Sequence, residues 1–120
     1  MNIANSIEKI KKSYLPPVYQ DKLCFDLTFI SESELEDIIA IVLFGSCARN
    51  EFKVGSDLDI LVITEEKVSR SVRSDISSEL EDDRNGVGTD VIFYTEEEFN
   101  QSKSLLISEI KKDGIIIWED

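Results

Sequence analysis

AIVLFGSCARNEFKVGSDLDILVI, residues 40–63, is the stretch that decides the fold. A first apolar run ends in the dipeptide Gly45-Ser46, and after a gap of ten residues a second apolar run opens with Asp57-Leu58-Asp59. We interpret both runs as buried strands, and residues i and i+2 of a strand point to the same face. Asp57 and Asp59 therefore project side by side, with Cα atoms roughly 6.5 Å apart at a rise of about 3.3 Å per residue.

Two carboxylates this close indicate a cation site. They repel each other unless a positive charge lies between them. If they were ordinary solvated side chains, this repulsion would stay uncompensated. Oxygen ligands favour Mg²⁺, a hard ion that takes one or two carboxylates and shares the phosphates of a substrate. The Asp57/Asp59 pair thus predicts a magnesium site at the start of the second strand.

A third acid and a turn extend this site. Asp90 opens the apolar run that ends at Tyr94, and it joins the aspartate pair if the two strands are neighbours. Gly45 lets backbone approach a phosphate closely, and Ser46 begins a helical turn whose N–H groups and hydroxyl can face a diphosphate. Arg49 stands where a capping-box glutamate would otherwise be, so we expect either a phosphate contact or a structural ion pair there.

The rest of the chain reads as alternating helices and strands. We expect helices over residues 3–14, 68–80 and 95–113, a short turn over 31–37, a short helix or turn over 46–52, and strands over 40–44, 57–64, 89–94 and 115–118. Leu23, Phe25, Leu27 and Phe29 alternate as in a strand. We also expect Phe99, Leu105, Leu106 and Ile110 to line the inner side of the last helix. The fold class is α/β (α+β), a mixed sheet of about four to five strands backed by helices on one side.

Bulk composition limits the function. The 120 residues form a single domain, which we divide into an N-terminal extension, residues 1–30, and a catalytic core, residues 31–120. With 13 basic and 25 acidic residues the net charge is −12, which disfavours nucleic acid as a partner because such binding needs Lys and Arg to displace counterions. Histidine is absent, so Ser-His-Asp, Cys-His and His-ligated zinc chemistry are excluded.

Several features that the sequence lacks indicate in which compartment the protein is located. No apolar stretch is long enough to span a bilayer, and the N-terminus lacks the basic and apolar regions of a secretory signal. Two cysteines, Cys24 and Cys47, are too few for a disulfide scaffold and suit free thiols in a reducing compartment. We expect a cytoplasmic protein with no membrane partner.

The Gly-Ser turn, the ten-residue gap and the Asp-x-Asp pair resemble the signature of the polymerase-beta-type nucleotidyltransferases. The small stand-alone branch, the minimal nucleotidyltransferases, is the most similar, and the resemblance runs from about Ile38 to the C-terminus. It implies that Asp57 and Asp59 hold two Mg²⁺ ions, and that Asp90 completes one metal site and helps to take a proton from the attacking hydroxyl. Gly45, Ser46 and Arg49 then contact the nucleotide, ATP or another nucleoside triphosphate. This chain has Asn50 where the family usually has glycine.

The resemblance leaves the acceptor of the nucleotide open. It implies transfer of a nucleoside monophosphate, AMP from ATP, to an acceptor hydroxyl, which can belong to a helical HEPN-type toxin neutralised by this chain as its antitoxin. The alternative is a non-catalytic module that neutralises such a toxin by contact alone. A third hypothesis, weaker because no acceptor domain is evident, is modification of a small-molecule antibiotic. Base preference and homo-oligomerisation stay open.

Overall fold

A computed structural model describes residues 1–53 and 55–120. Within them the chain forms six helices and four strands in this order: α1 (Ala4–Lys11), α2 (Pro17–Glu32), β1 (Ile38–Phe44), α3 (Gly45–Ala48), β2 (Leu58–Thr64), α4 (Arg70–Glu81), β3 (Thr89–Thr95), α5 (Glu96–Gln101), α6 (Leu105–Asp113) and β4 (Ile115–Glu119). None of the helices in this described part combines the length and apolar character needed to cross a bilayer.

The four strands form one mixed sheet in the order β3-β2-β1-β4. β1 is antiparallel to both β2 and β4, whereas β2 and β3 are parallel. A parallel pair needs a crossover connection, and α4 supplies it. The α/β fold class and the strand count of four agree with the sequence-based prediction.

Helices cover both faces of the sheet. The larger core joins α1, α2 and α4 to the strand face that carries Ile41, Ile60 and Val62. The smaller core packs Ile107 and Ile110 of α6 against the opposite face. The expectation of helices on one side is therefore corrected: it describes the longer helices, while α5 and α6 cover the other side because the central strands are apolar on both faces.

Four local predictions from the sequence are wrong. Residues 23–29, whose alternation indicated a strand, lie in α2, and the turn predicted over 31–37 begins inside the end of that helix. The last helix is interrupted after Gln101, and Ser104 caps a new helix by accepting the N–H of Ile107 at 3.2 Å. Leu105 and Leu106 then stay 74% and 41% exposed, so they do not line its inner side.

Candidate active site

Asp59 and Asp90 lie beside each other on the two parallel strands. Asp59 is the direct register partner of Asp90, as Leu61 is of Ile92 two residues further along. Strand alternation places both aspartates on the face that carries the smaller core. Asp90 is exposed, whereas Asp59 is half-buried. The structure therefore brings together two of the three acids that the sequence singled out.

Asp57 precedes β2 and is held from two sides. Its Oδ1 accepts the N–H of Gly88 at 3.4 Å, and its backbone carbonyl is 3.6 Å from the Cys47 sulfur. The adjacent Leu58 N–H donates to the Gly88 carbonyl at 3.0 Å. Asp57 is thus tied both to the turn after β1 and to the segment that enters β3.

The charges of the three aspartates act on one another. Burial, the largest cause, and the neighbouring carboxylates of Asp90 and Asp57 together raise the pKa of Asp59 to about 6, while Arg49 opposes the rise. Burial also raises the pKa of the Cys47 thiol to about 11, with Asp59 and Asp57 contributing. This is the local excess of negative charge that a bound cation would relieve.

The Gly45 backbone touches the Asp59 carboxylate. Gly45 has φ +74°, and a Cβ built on it would lie 2.3 Å from Asp59 Oδ2. The contact arises because Phe44, the last residue of β1, is the register partner of Asp59. Only a residue without a side chain fits between the turn and the carboxylate.

Arg49 lines a cavity of about 230 Å³. Phe44, Gly45 and Leu106 are among its other lining residues. The Arg49 Nε is 3.2 Å from Glu51 Oε2, and both side chains are well exposed. An exposed pair of this kind is weak, so Arg49 can exchange Glu51 for another anion at small cost.

The donor set fits a hard cation. It consists of carboxylate oxygens alone, which suit Mg²⁺ when substrate phosphates supply further ligands. Across residues 1–53 and 55–120, no three acidic or cysteine side chains are already gathered as a metal site. The arrangement therefore offers two neighbouring carboxylates and a third within electrostatic reach.

The sequence did not point to the residues that support this site. Tyr14, in the segment between α1 and α2, donates its hydroxyl to the carbonyls of Cys47 and Ala48, and Tyr19 of α2 donates to the Ser56 carbonyl at 2.8 Å. Both tyrosines thus fasten the segment between Gly45 and Asp57 to the N-terminal helices. The available signal was weak: a buried tyrosine such as Tyr19 needs a hydrogen-bond partner, but the sequence does not identify that partner, and Tyr14 is exposed.

Comparisons with known proteins agree with the fold. The sequence profile "Polymerase beta, Nucleotidyltransferase" matches residues 28–120. A spectinomycin 9-adenylyltransferase from Campylobacter jejuni is 40% identical over 52 residues, which span 42% of this chain and 20% of that protein. The chain thus aligns with about a fifth of the length of this curated relative.

Two solved structures share the fold. A toxin–antitoxin complex with AMP-PNP superposes with a TM-score of 0.58 at 19% identity, covering 83% of this chain and 73% of the other. The MntA–HepT toxin–antitoxin superposes with a TM-score of 0.53 at 17% identity, covering 84% and 73%. At these identities the likeness is one of fold.

Proposed function

The chain belongs to the polymerase beta nucleotidyltransferase family, and on that premise we propose that it transfers AMP from ATP to an acceptor hydroxyl in a Mg²⁺-dependent reaction. The observation that carries the proposal is the pairing of Asp59 with Asp90 on neighbouring strands, directly beside the Gly45 turn. The raised pKa of Asp59 supports it: burial is the first cause and the charges of Asp90 and Asp57 follow, and a cation relieves both effects.

Each residue then has a role in the reaction. Asp57 and Asp59 would hold Mg²⁺, which when bound would neutralise the phosphates and the developing charge on the attacking and leaving oxygens. The acceptor oxygen forms a bond to the α-phosphorus, the bond to pyrophosphate breaks, and the hydroxyl proton passes to Asp90. Asp90 is exposed, as a group that meets an incoming acceptor must be. Gly45, Ser46 and Arg49 hold the leaving diphosphate.

The direct test is transfer of label from [α-³²P]ATP to a candidate acceptor. We expect the double variant Asp57→Asn/Asp59→Asn to lose transfer. The control Asp75→Asn/Glu79→Gln removes the same two charges from exposed positions on α4 and keeps transfer. Activity that survives in the Asp57/Asp59 double variant would refute the metal assignment.

We propose a helical HEPN-type toxin as the partner that carries the acceptor. The two solved complexes of this fold are toxin–antitoxin pairs, and one of them binds a nucleotide analogue. A net charge of −12 suits a basic, RNA-cleaving partner. Both free cysteines suit the reducing cytoplasm, where we place the pair.

Neutralisation by contact alone is the competing proposal for this partner. The experiment that separates the two uses the triple variant Asp57→Asn/Asp59→Asn/Asp90→Asn. If neutralisation of the toxin requires nucleotidyl transfer, the triple variant fails to protect cells although it still binds. If contact suffices, protection is undiminished.

The antibiotic hypothesis has one specific observation in its favour, the 40% identity to spectinomycin 9-adenylyltransferase over 52 residues. Because most of that relative lies outside the aligned segment, its substrate does not transfer by likeness. Assaying AMP transfer to spectinomycin and to a panel of aminoglycosides tests it directly. A modified drug would favour this hypothesis over a protein acceptor.

A further inference from the structure

A fully buried ion pair lies outside the residues described so far. Lys22 and Asp26 are one helical turn apart on α2, and Lys22 Nζ is 2.5 Å from Asp26 Oδ1. Both side chains are 0% exposed. The other two ion pairs within the described residues, Lys12–Glu8 and Arg49–Glu51, are exposed to solvent.

The pair binds two further elements. Lys22 Nζ also donates to the Leu80 carbonyl near the end of α4 at 2.9 Å and to Thr89 Oγ1 at 2.8 Å. Thr89 in turn donates its hydroxyl to Asp26 Oδ2 at 2.5 Å. The Lys22–Asp26–Thr89 network therefore joins α2 to both ends of the segment that connects α4 to β3.

That connection is fastened to α2 a second time. The guanidinium carbon of Arg84 lies 3.6 Å from the centre of the Phe25 ring, a close cation–π contact. Arg84 and Val87 exchange backbone hydrogen bonds of 2.9 and 3.1 Å, which close the turn between them. The segment between α4 and Thr89 is therefore held against α2 by this contact as well as by the network.

Thr89 lies immediately before Asp90, and the two side chains point to opposite faces of the sheet. On one face Thr89 is 1% exposed and joins the network, while on the other Asp90 pairs with Asp59. The preceding Gly88 donates its N–H to Asp57 Oδ1 and accepts from Leu58. Fixing Thr89 therefore fixes the backbone on which contacts to all three aspartates depend.

Stability alone does not account for a buried pair of this kind. Removing two charges from water costs several kcal/mol per ion, and well-packed apolar residues of similar volume often serve the fold equally well. What apolar residues cannot supply is a set of directed bonds that defines one position of β3. Burial raises the pKa of Asp26 to about 6, and the hydrogen bonds from Lys22 and Thr89 oppose the rise.

We propose that the Lys22–Asp26–Thr89 network is a positioning device that holds the first residues of β3 so that Asp90 stays paired with Asp59 on the neighbouring strand. The inference rests on the proposed function, and it assigns a role to residues 1–30 that the family signature does not cover. In this proposal Lys22, Asp26 and Thr89 contact neither nucleotide nor metal; they act through the backbone of β3.

The test compares Thr89→Val, which keeps the shape and removes the hydroxyl, with Thr89→Ser, which keeps the hydroxyl. The readouts are kcat and KM for ATP, and the affinity for Mn²⁺ in the presence of AMP-PNP measured by electron paramagnetic resonance. Supporting residues behind metal ligands typically change affinity or activity about 10–100-fold, so we expect Thr89→Val to lose at least about 10-fold in kcat and in Mn²⁺ affinity. KM for ATP stays within about 2-fold, and Thr89→Ser stays close to the original protein.

Lys22→Met/Asp26→Leu is the second variant, used if Thr89→Val does not fold. It removes both charges at similar volume, so we expect a folded protein with the same loss of kcat and Mn²⁺ affinity. If a folded variant of either kind keeps both quantities, the network is structural and the inference is overturned. If the original protein binds Mn²⁺ but transfers no nucleotide, the proposed function fails while the Mn²⁺ affinities still decide the inference. If it does neither, both fail.

Discussion

At the scale of single residues, the site depends on the contact between Gly45 and Asp59. The turn has a positive φ and leaves no room for a Cβ beside the carboxylate. The sequence predicted a close approach at Gly45, but to a phosphate. The contact with Asp59 was not predictable because it requires the register between β1 and β2, which pairs Phe44 with Asp59.

We expect Gly45→Ala to destroy activity out of proportion to its effect on stability. The added Cβ displaces the Asp59 carboxylate, and a displacement of about 1 Å can cost about 100-fold in rate. The left-handed backbone adds roughly 1–2 kcal/mol of strain. Single-turnover transfer and urea unfolding measure the two effects.

Gly86→Ala is the matched control for this variant. Gly86 also has a positive φ, +85°, but nothing lies within 4 Å of its added Cβ. It therefore carries the same backbone strain and leaves the site untouched. Equal losses of activity in the two folded variants would show that the Gly45 contact is unimportant.

Asp59→Asn is expected to stabilise the metal-free protein at neutral pH. The pKa of Asp59 is about 6 in the folded chain against an ordinary 3.8, so the folded state binds the proton more tightly and loses stability as pH rises from about 4 to 6. Two pKa units correspond to about 3 kcal/mol, and solvent screening reduces this to about 1–2 kcal/mol. Asparagine does not titrate, so the gain appears above pH 6 and fades near pH 4.

Thermal unfolding in EDTA at pH 4 and pH 8 measures that gain. Asp75→Asn, on the exposed side of α4, removes one negative charge away from the site and serves as the control. A stabilisation by Asp59→Asn that is equal at both pH values would contradict the raised pKa of Asp59 described above.

At the scale of elements, the sequence predicted the central strands well and α2 badly. The three strands β1, β2 and β3 are compact apolar runs bounded by turn residues, a pattern with few other interpretations. The buried residues of α2 follow a helical spacing, and two of them are charged; they include Tyr19, Lys22, Leu23, Asp26 and Leu27. These buried charges conceal the period, and the alternation of Phe25 and Phe29 with leucines suggested a strand instead.

The helix after β3 shows a similar limit. Thr95 was correctly predicted to start it, and the structure adds the reciprocal bond that completes a capping box: Thr95 Oγ1 accepts the Glu98 N–H at 3.1 Å, and Glu98 Oε1 accepts the Thr95 N–H at 3.0 Å. The interruption after Gln101 was missed because the predicted apolar face continued across it. Ile107, not Leu105 or Leu106, is the residue that α6 buries with Ile110.

Thr95→Ala should remove the cap of α5 and destabilise the protein by about 1 kcal/mol. Thr95→Ser keeps the accepting oxygen and is expected to retain most of the stability. Urea unfolding of the two variants gives the comparison. An alanine variant as stable as the serine variant would mean that packing of β3, rather than the cap, determines where α5 begins.

At the scale of the whole molecule, charge is the dominant property. A net charge of −12 on 120 residues makes the chain repel itself, and three carboxylates of the site lie within this field. The composition alone predicted this property. It could not predict where the charge gathers, since that depends on the parallel register of β2 and β3.

Salt is therefore expected to stabilise the protein. Raising NaCl from about 20 mM to about 500 mM shortens the range of the repulsion to a few ångströms, and we expect the melting temperature to rise by several degrees. The variant Asp75→Asn/Glu79→Gln, with two fewer negative charges, is expected to melt higher at low salt and to respond less. A melting temperature that does not change with NaCl would contradict self-repulsion as a significant term.

The buried sulfur of Cys47, directly after the Gly45-Ser46 turn, allows opening of the site to be measured by chemical labelling. Cys47 is 0% exposed, whereas Cys24 is only half-buried, so an alkylating reagent reaches Cys47 when the turn detaches from the strands beneath it. The labelling rate of Cys47, compared with that of Cys24 as an internal reference, then measures how often the candidate site opens. We expect bound nucleotide to hold the turn in place, which slows the labelling of Cys47 and leaves the labelling rate of Cys24 unchanged.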